Sequence, residues 1–279
     1  MRINYRIFLS LILLMTISLD ALSQNSLKVM SFNIRQCMVN DGPNSWSLRK
    51  EATPAMLKDV QPDVFGVQEA YYTQVKYITQ ECQNFKRVGK GRNDGRRGGE
   101  YTAIFYNAEK FKLVDKGVFW LSETPDIPSI GWDAKYSRTA TWVVLKMKSS
   151  DKKLIVINTH LDNAGLMARA NGLKLICDWV HEYNIERLPV VLLGDFNIRP
   201  EDSSLEYINT QMSSARLCAD MTDNSGTFSG YGTRDYECII DYIYYSGFNN
   251  CREFRVNKNE YAGKKYISDH YPIYAIFEF

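Results

Sequence analysis

The stretch Val190-Val191-Leu192-Leu193-Gly194-Asp195-Phe196-Asn197 constrains this chain more than any other. Four consecutive apolar residues, two of them β-branched, read as a short strand covered on both faces. The run stops at a glycine, then delivers a carboxylate and, two residues on, a carboxamide. Residues two apart in an extended chain point the same way, so Asp195 and Asn197 are expected to face one pocket. Taken alone, the stretch reads equally well as a strand followed by an Asx turn. Its force comes from repetition.

The same plan recurs along the sequence. Leu27 to Phe32 is a predicted strand ending in Asn33. Val64-Phe65-Gly66-Val67 ends in Gln68-Glu69, and Leu154 to Ile157 ends in Asn158-Thr159-His160. Asp269-His270 stands just before a final strand, Ile273 to Phe277. Ile239 to Ile243 reads as a strand with Asp241 in its middle, and a buried carboxylate needs a partner or a metal. If these ends converge, one pocket holds Glu69, Glu100, Asp195 and Asp269, with His160, His270, Asn33 and Asn197.

Between these strands the spacing predicts helices from Ser45 to about Val60, Tyr71 to Cys82, and Ala164 to Tyr183, with a shorter one near Ser203 to Ile208. Further strands are expected over Tyr101 to Tyr106, near Val118 to Leu121, and over Ala140 to Met147. Residues 89 to 99 are too rich in glycine and charge to pack a core. This loop carries Lys90, Arg92, Arg96 and Arg97, and is either a phosphate-facing rim or a solvated tip. Residues 222 to 237 form another polar loop. Strands and helices alternate irregularly, which predicts one α/β domain with mixed sheets over residues 24–279.

Residues 1–23 read as a cleaved signal peptide. Arg2 and Arg6 precede an apolar run from Ile7 to Leu19, and Ala21-Leu22-Ser23 offers small residues for cleavage. The run falls short of the ~20 residues a spanning helix needs. The expected location is periplasmic or secreted. Removing Arg2, Arg6 and Asp20 takes the 34 basic and 32 acidic residues to 32 and 31, a net charge of +1. That balance gives no global attraction to nucleic acid. Cys37, Cys82, Cys177, Cys218, Cys238 and Cys251 contain no C-x-x-C, which disfavours a zinc or thioredoxin-type motif. Export permits disulfides, and the six cysteines read either as including a pair within the last three or as buried free thiols.

The polar inventory is oxygen-rich and lacks thiolate, which suits Mg²⁺, with Mn²⁺ as an alternative. Zinc would want three or four His or Cys ligands, and the chain has only 3 histidines. Neither a serine at a nucleophile elbow nor a P-loop is present. Metal-assisted attack of water on a phosphoester is the chemistry that remains.

The ordered set MSFNIR, VFGVQEA, GGEYTAIFY, INTHLD, LLGDFN, IIDYIYYS and ISDHYPI closely resembles the endonuclease/exonuclease/phosphatase superfamily, in particular its exported bacterial branch. The resemblance spans about residues 27 to 279. It implies a four-layer α/β/β/α sandwich of two packed mixed sheets, with the active site at one end. It implies Glu69 as principal metal ligand, with Asn33 and Asp269 beside it and Asn33 also near substrate. Asp195 would orient or deprotonate water, Asn197 would bond phosphoryl oxygens, and His160 and His270 would stabilise the transition state. Glu100 resembles the carboxylate that pairs with the first histidine, and Asp241 the one that pairs with the second. Whether Asp195 or His270 takes the proton is open at this point.

Arg138 and Arg92 are candidate clamps on a substrate phosphate, and Asp162 and Asn163 lie beside His160. The expected partner is a phosphoester substrate, with no obligate protein partner and a monomeric chain. Three substrate classes compete. Nucleic acid would need the basic loop, a phosphorylated small molecule would suit a compact pocket, and a phospholipid would need an exposed hairpin such as Phe119-Trp120-Leu121 with Trp132. A non-catalytic binding module on the same fold is disfavoured because none of the motifs is broken.

Overall fold

The computed structural model describes residues 26–233 and 238–279. The predicted signal peptide lies outside them, as do residues 234–237 of the second polar loop. The strands of the first half are β1 (Ser26–Asn33), β2 (Val64–Ala70), β3 (Phe85–Val88), β4 (Tyr101–Asn107), β5 (Phe111–Trp120) and β6 (Thr139–Met147). They continue as β7 (Lys153–His160), β8 (Val190–Asp195), β9 (Ser213–Ser214), β10 (Asp241–Ser246), β11 (Asn250–Val256) and β12 (Ile273–Glu278). Two six-stranded mixed sheets result, ordered β11-β12-β1-β2-β4-β3 and β5-β6-β7-β8-β10-β9.

The sheets pack face to face, and each carries helices on its outer face. The continuous apolar runs follow from this, because both strand faces are covered. In β8, Val191 and Leu193 enter the core between the sheets, while Val190 and Leu192 enter the core under the outer helix. In β1, Val29 faces the inter-sheet core and Met30 the helices on the other side. The sheets approach so closely at Gly66 that a Cβ there would lie 2.3 Å from Leu193 Cδ1. A polar bridge crosses the same gap, with Gln68 Nε2 donating to Asn158 Oδ1 at 2.7 Å. Asn158 Nδ2 in turn donates to the Val67 and Ala103 carbonyls.

The helices are α1 (Trp46–Arg49), α2 (Ala52–Val60), α3 (Tyr72–Glu81) and α4 (Leu166–Tyr183), followed by shorter pieces after β8. The single helix expected over 45–60 is two, because Pro54 has no N–H for the Lys50 carbonyl and its ring would strike it. The α4 N-terminus follows Gly165, which has no side chain to cap it, and Asp133 from a distant loop serves instead. Its carboxylate accepts from Met167 N at 3.2 Å and Ala168 N at 2.7 Å.

Three further expectations are corrected. Ile239 and Ile240 precede β10, so Asp241 is its first residue and not its middle. Phe119, Trp120 and Leu121 are all buried, at 8%, 4% and 2% exposure, which removes the apolar hairpin considered for phospholipid. The six cysteines are all free thiols, including the last three.

Candidate active site

The polar strand ends meet because of strand direction. β1 and β2 run parallel, as do β7 and β8, so Asn33, Glu69, His160 and Asp195 finish at one edge of the sandwich. Antiparallel partners begin where these strands end. Asp241 opens β10 opposite Asp195, Glu100 stands just before β4, and Asp269-His270 just before β12. The result is a cleft of about 710 Å³ lined by Glu69, Glu100, His160, Asp195, Asn197, Asp269 and His270, with Arg35, Arg92, Arg138, Tyr71, Tyr136 and Phe228 among the residues around them.

Local backbone geometry aims the key side chains. Gly194 has φ +155, and a Cβ there would lie 2.0 Å from the Thr159 carbonyl oxygen. The bend it permits delivers Asp195. Glu69 sits at φ 61 on a bulge where β2 slips against β4, an irregularity that turns its carboxylate into the cleft. Asn197 lies at φ 51, so it reaches the pocket by a left-handed turn and not by the strand alternation expected for it.

Asp195 is the hub. Its Oδ2 accepts from Asn33 Nδ2 at 2.9 Å and lies 3.5 Å from His160 Nε2 and 3.7 Å from His270 Nε2. Its Oδ1 accepts from the Asn197 backbone N–H at 2.9 Å. Burial, reinforced by the charge of Asp241, raises its proton affinity to about 7, against the pull of His270 and these hydrogen bonds.

The two histidines differ in state. His270 Nδ1 is 2.9 Å from Asp241 Oδ2, and the backbone N–H of Asp241 donates to Thr227 Oγ1. Burial works against a charge on His270, but Asp241 and Asp195 outweigh it and hold the pKa well above the ordinary value. For His160, burial, with the charges of Arg138, Arg92 and His270, holds the pKa well below it. Asn197 Nδ2 lies 3.0 Å from His160 Nε2, so a neutral His160 accepts there and carries its proton on Nδ1. The Nδ1 atom is buried without a hydrogen-bond partner, 3.9 Å from Glu100 Oε2.

That distance corrects the expected pairing of Glu100 with His160. Glu100 Oε2 is instead 2.7 Å from Arg92 Nη1, a charged partner that a carboxylate prefers to a neutral imidazole. Burial raises the pKa of Glu100 while Arg92 opposes the shift. The two candidate clamps are likewise engaged within the protein. Arg138 Nε is 3.2 Å from Asp162 Oδ2 and its Nη2 donates to Asn163 Oδ1 at 3.3 Å. Of the four basic residues in the 89–99 loop, Arg92 lines the cleft, whereas Lys90, Arg96 and Arg97 are exposed.

Arg35 and Arg49 were not singled out from the sequence. Arg35 is bidentate to Asp41 at 3.1 Å and stands 3.8 Å from both Glu69 and Asp269. Arg49 is 1% exposed and donates to the carbonyls of Ile34, Arg35, Asn44 and Ile267. It ties the loop after Asn33 to the segment carrying Asp269 and His270. Position beside Asn33 in MSFNIR is the signal that marks Arg35, whereas nothing in the local sequence marks Arg49.

An oxygen-only donor set at this edge fits a hard divalent cation. Glu69 and Asp269 face the cleft, and the nearest charge to either is Arg35 at 3.8 Å, too far to neutralise them fully. Asn33 turns its NH₂ group toward Glu69 and Asp195, at 3.1 and 2.9 Å, while its oxygen accepts from Arg35 N. In this orientation it braces the two carboxylates. Ligand atoms of Asp195, Asp241 and His270 also lie within 4.8 Å of one another. The Asp241–His270 hydrogen bond already occupies two of these groups, which leaves the Glu69–Asp269 edge as the better cation seat.

Two stacked mixed sheets with helices on their outer faces define the class of α/β/β/α sandwich proteins. The chain belongs to the Endonuclease/Exonuclease/phosphatase family, whose model matches residues 30–270. It is similar to the mannosyl-6-phosphatase of Bacteroides thetaiotaomicron VPI-5482, at 31% identity and a TM-score of 0.86, over 91% of this chain and 100% of that one. An endonuclease/exonuclease/phosphatase from Bacteroides vulgatus matches at 31% identity and TM-score 0.86, over 91% and 99%. Drosophila melanogaster Nocturnin is 23% identical over 280 residues, which covers 84% of this chain and 42% of that protein.

Proposed function

We propose that this protein is an exported, Mg²⁺-dependent hydrolase of small phosphomonoesters, with a sugar phosphate as substrate. The observation that carries the reading is the hub at Asp195, whose carboxylate stands between a neutral and a cationic imidazole at 3.5 and 3.7 Å. A buried carboxylate with proton affinity near 7 is matched to accept a proton at neutral pH. Asp195 takes the proton of the attacking water as its oxygen adds to phosphorus and the P–O bond to the leaving group breaks, the leaving alkoxide taking up a proton from solvent. His270, already protonated through Asp241, presents its Nε2–H to the charge that develops on the phosphoryl oxygens. Asn197 orients His160 and faces the same oxygens. Glu69 and Asp269 would hold the cation, which supplies neutralisation of phosphoryl and leaving-oxygen charge.

Substrate size is supported by the basic loop, which contributes one arginine to the cleft and turns the others away, so it builds no groove for a nucleic-acid backbone. The likeness to a mannosyl-6-phosphatase points the same way. Export rests on residues 1–23, and a secreted product beginning at Gln24 on N-terminal sequencing is the expected result.

The direct test is phosphate release by purified protein with Mg²⁺ across hexose phosphates, nucleotides, inositol phosphates, DNA and RNA. Hexose phosphates are expected to be preferred, and His270→Ala and Asp195→Ala to abolish turnover while leaving the circular dichroism spectrum intact. Activity that survives both substitutions would refute the assignment.

A further inference from the structure

Tyr136 is 41% exposed, lines the cleft at its mouth, and belongs to none of the three hydrophobic clusters. Packing therefore does not account for an aromatic ring here. The backbone that carries the ring is nevertheless anchored. Its backbone N–H donates to Asp162 Oδ2 at 3.3 Å, and that carboxylate also accepts from Arg138 Nε, Ala164 N and Gly165 N. The next residue, Ser137, donates to the Arg92 carbonyl. The guanidinium carbons of Arg92 and Arg138 lie 5.2 and 5.8 Å from the ring centroid, within cation–π range. Lys135 Nζ, on an exposed side chain, lies 5.3 Å from the same centroid.

The wall behind the ring is electrically balanced. Arg92 is matched by Glu100 at 2.7 Å and Arg138 by Asp162 at 3.2 Å, and both arginine side chains are largely covered, at 12% and 5% exposure. The pairing is incomplete, since Arg92 Nε and Arg138 Nη1 stay buried without a hydrogen-bond partner and can donate to hydroxyl oxygens. Asn163 and Tyr71 add polar edges to the same lining. An aromatic face at the cleft with hydrogen-bond donors and polar side chains around it matches a ring that has C–H faces and hydroxyl edges.

We infer that Tyr136 is the platform on which the leaving group stacks, and that this group is a neutral ring-shaped polyol of hexose type. The inference rests on the phosphomonoesterase reading above and adds the specificity-determining residue to it.

The test compares kcat/KM for mannose 6-phosphate and for ethyl phosphate, whose leaving group is too short to reach the ring, in wild type, Tyr136→Ala and Tyr136→Trp. The ratio of the two substrates is expected to fall about tenfold in Tyr136→Ala, carried by KM, and to stay within about threefold of wild type in Tyr136→Trp. An unchanged ratio in Tyr136→Ala overturns the platform, as does a wild type that prefers a hexose bisphosphate or a nucleoside monophosphate. Saturation-transfer NMR with free mannose separates the two readings. Sugar binding that depends on Tyr136 in a protein without turnover sinks the hydrolase reading alone, whereas equal binding by both proteins sinks the platform.

Discussion

Asp241→Asn isolates the electrostatic part of the site. An asparagine oxygen can still accept from His270 Nδ1, now 2.9 Å from Asp241 Oδ2, so the shape of the pair is kept and its charge is removed. With about 4 Å between charge centres and an effective dielectric of ~20, the attraction lost is about 4 kcal/mol. Without that attraction, burial, which opposes the charge, pulls the pKa of His270 down from its raised wild-type position. The sign follows from the raised wild-type pKa. His270 is charged below its folded pKa and loses that charge as pH rises through it, so wild type keeps its imidazolium into the alkaline range. The variant loses it at a lower pH than wild type does. Phosphate release measured with saturating Mg²⁺ is expected to fall by about 100-fold or more near pH 8 and by much less near pH 5, which moves the alkaline limb of the profile acidward. A variant within threefold of wild type near pH 8, with its alkaline limb in place and its fold intact, would refute the view that Asp241 keeps His270 cationic.

Two other outcomes follow from the same structure. EDTA is expected to abolish turnover, and Glu69→Gln to weaken direct Mn²⁺ binding by about 10- to 100-fold in titration, since one of the two cleft-facing carboxylates beside Arg35 loses its charge; unaltered metal affinity would remove Glu69 from the cation seat. Asp162 has its carboxyl lowered from 3.8 to about 2, where burial is outweighed by the Gly165 and Ala164 N–H groups and Arg138. A depressed acid stabilises the fold above its unfolded pKa and ceases to as pH falls through the folded value, so Asp162→Asn is expected to cost about 2 kcal/mol and roughly 4–8 °C in Tm at neutral pH. The deficit should shrink toward about pH 2, and a variant with unchanged neutral Tm counts against the bracing of the 133–138 segment.

What the sequence makes legible here is governed by burial on two faces. Strands covered on both sides must be apolar throughout, so β1, β2, β7 and β8 stand out, and the polar residue that ends each is conspicuous. Edge strands carry no such signature. Phe85-Lys86-Arg87-Val88 at one rim of the first sheet and β11 at the other have charged outward faces and pass for loops. Site residues attached to central strands are therefore readable, and their partnerships are not. Nothing local to GGEYTAIFY says that Arg92, eight residues earlier, outbids His160 for Glu100. Arg49 is hidden for a related reason. Its role is to bond backbone carbonyls, which every residue has, so no complementary side chain betrays it.

The placement of β12 has a consequence for synthesis. The final strand lies between β1 and β11, pairing Ser26 with Glu278 and Ser31 with Ile273. Until β12 has emerged from the ribosome, β1 lacks one whole side of its hydrogen bonding, and His270 cannot reach Asp241 or Asp195. Closing that contact across more than two hundred residues is slow relative to helix or hairpin formation.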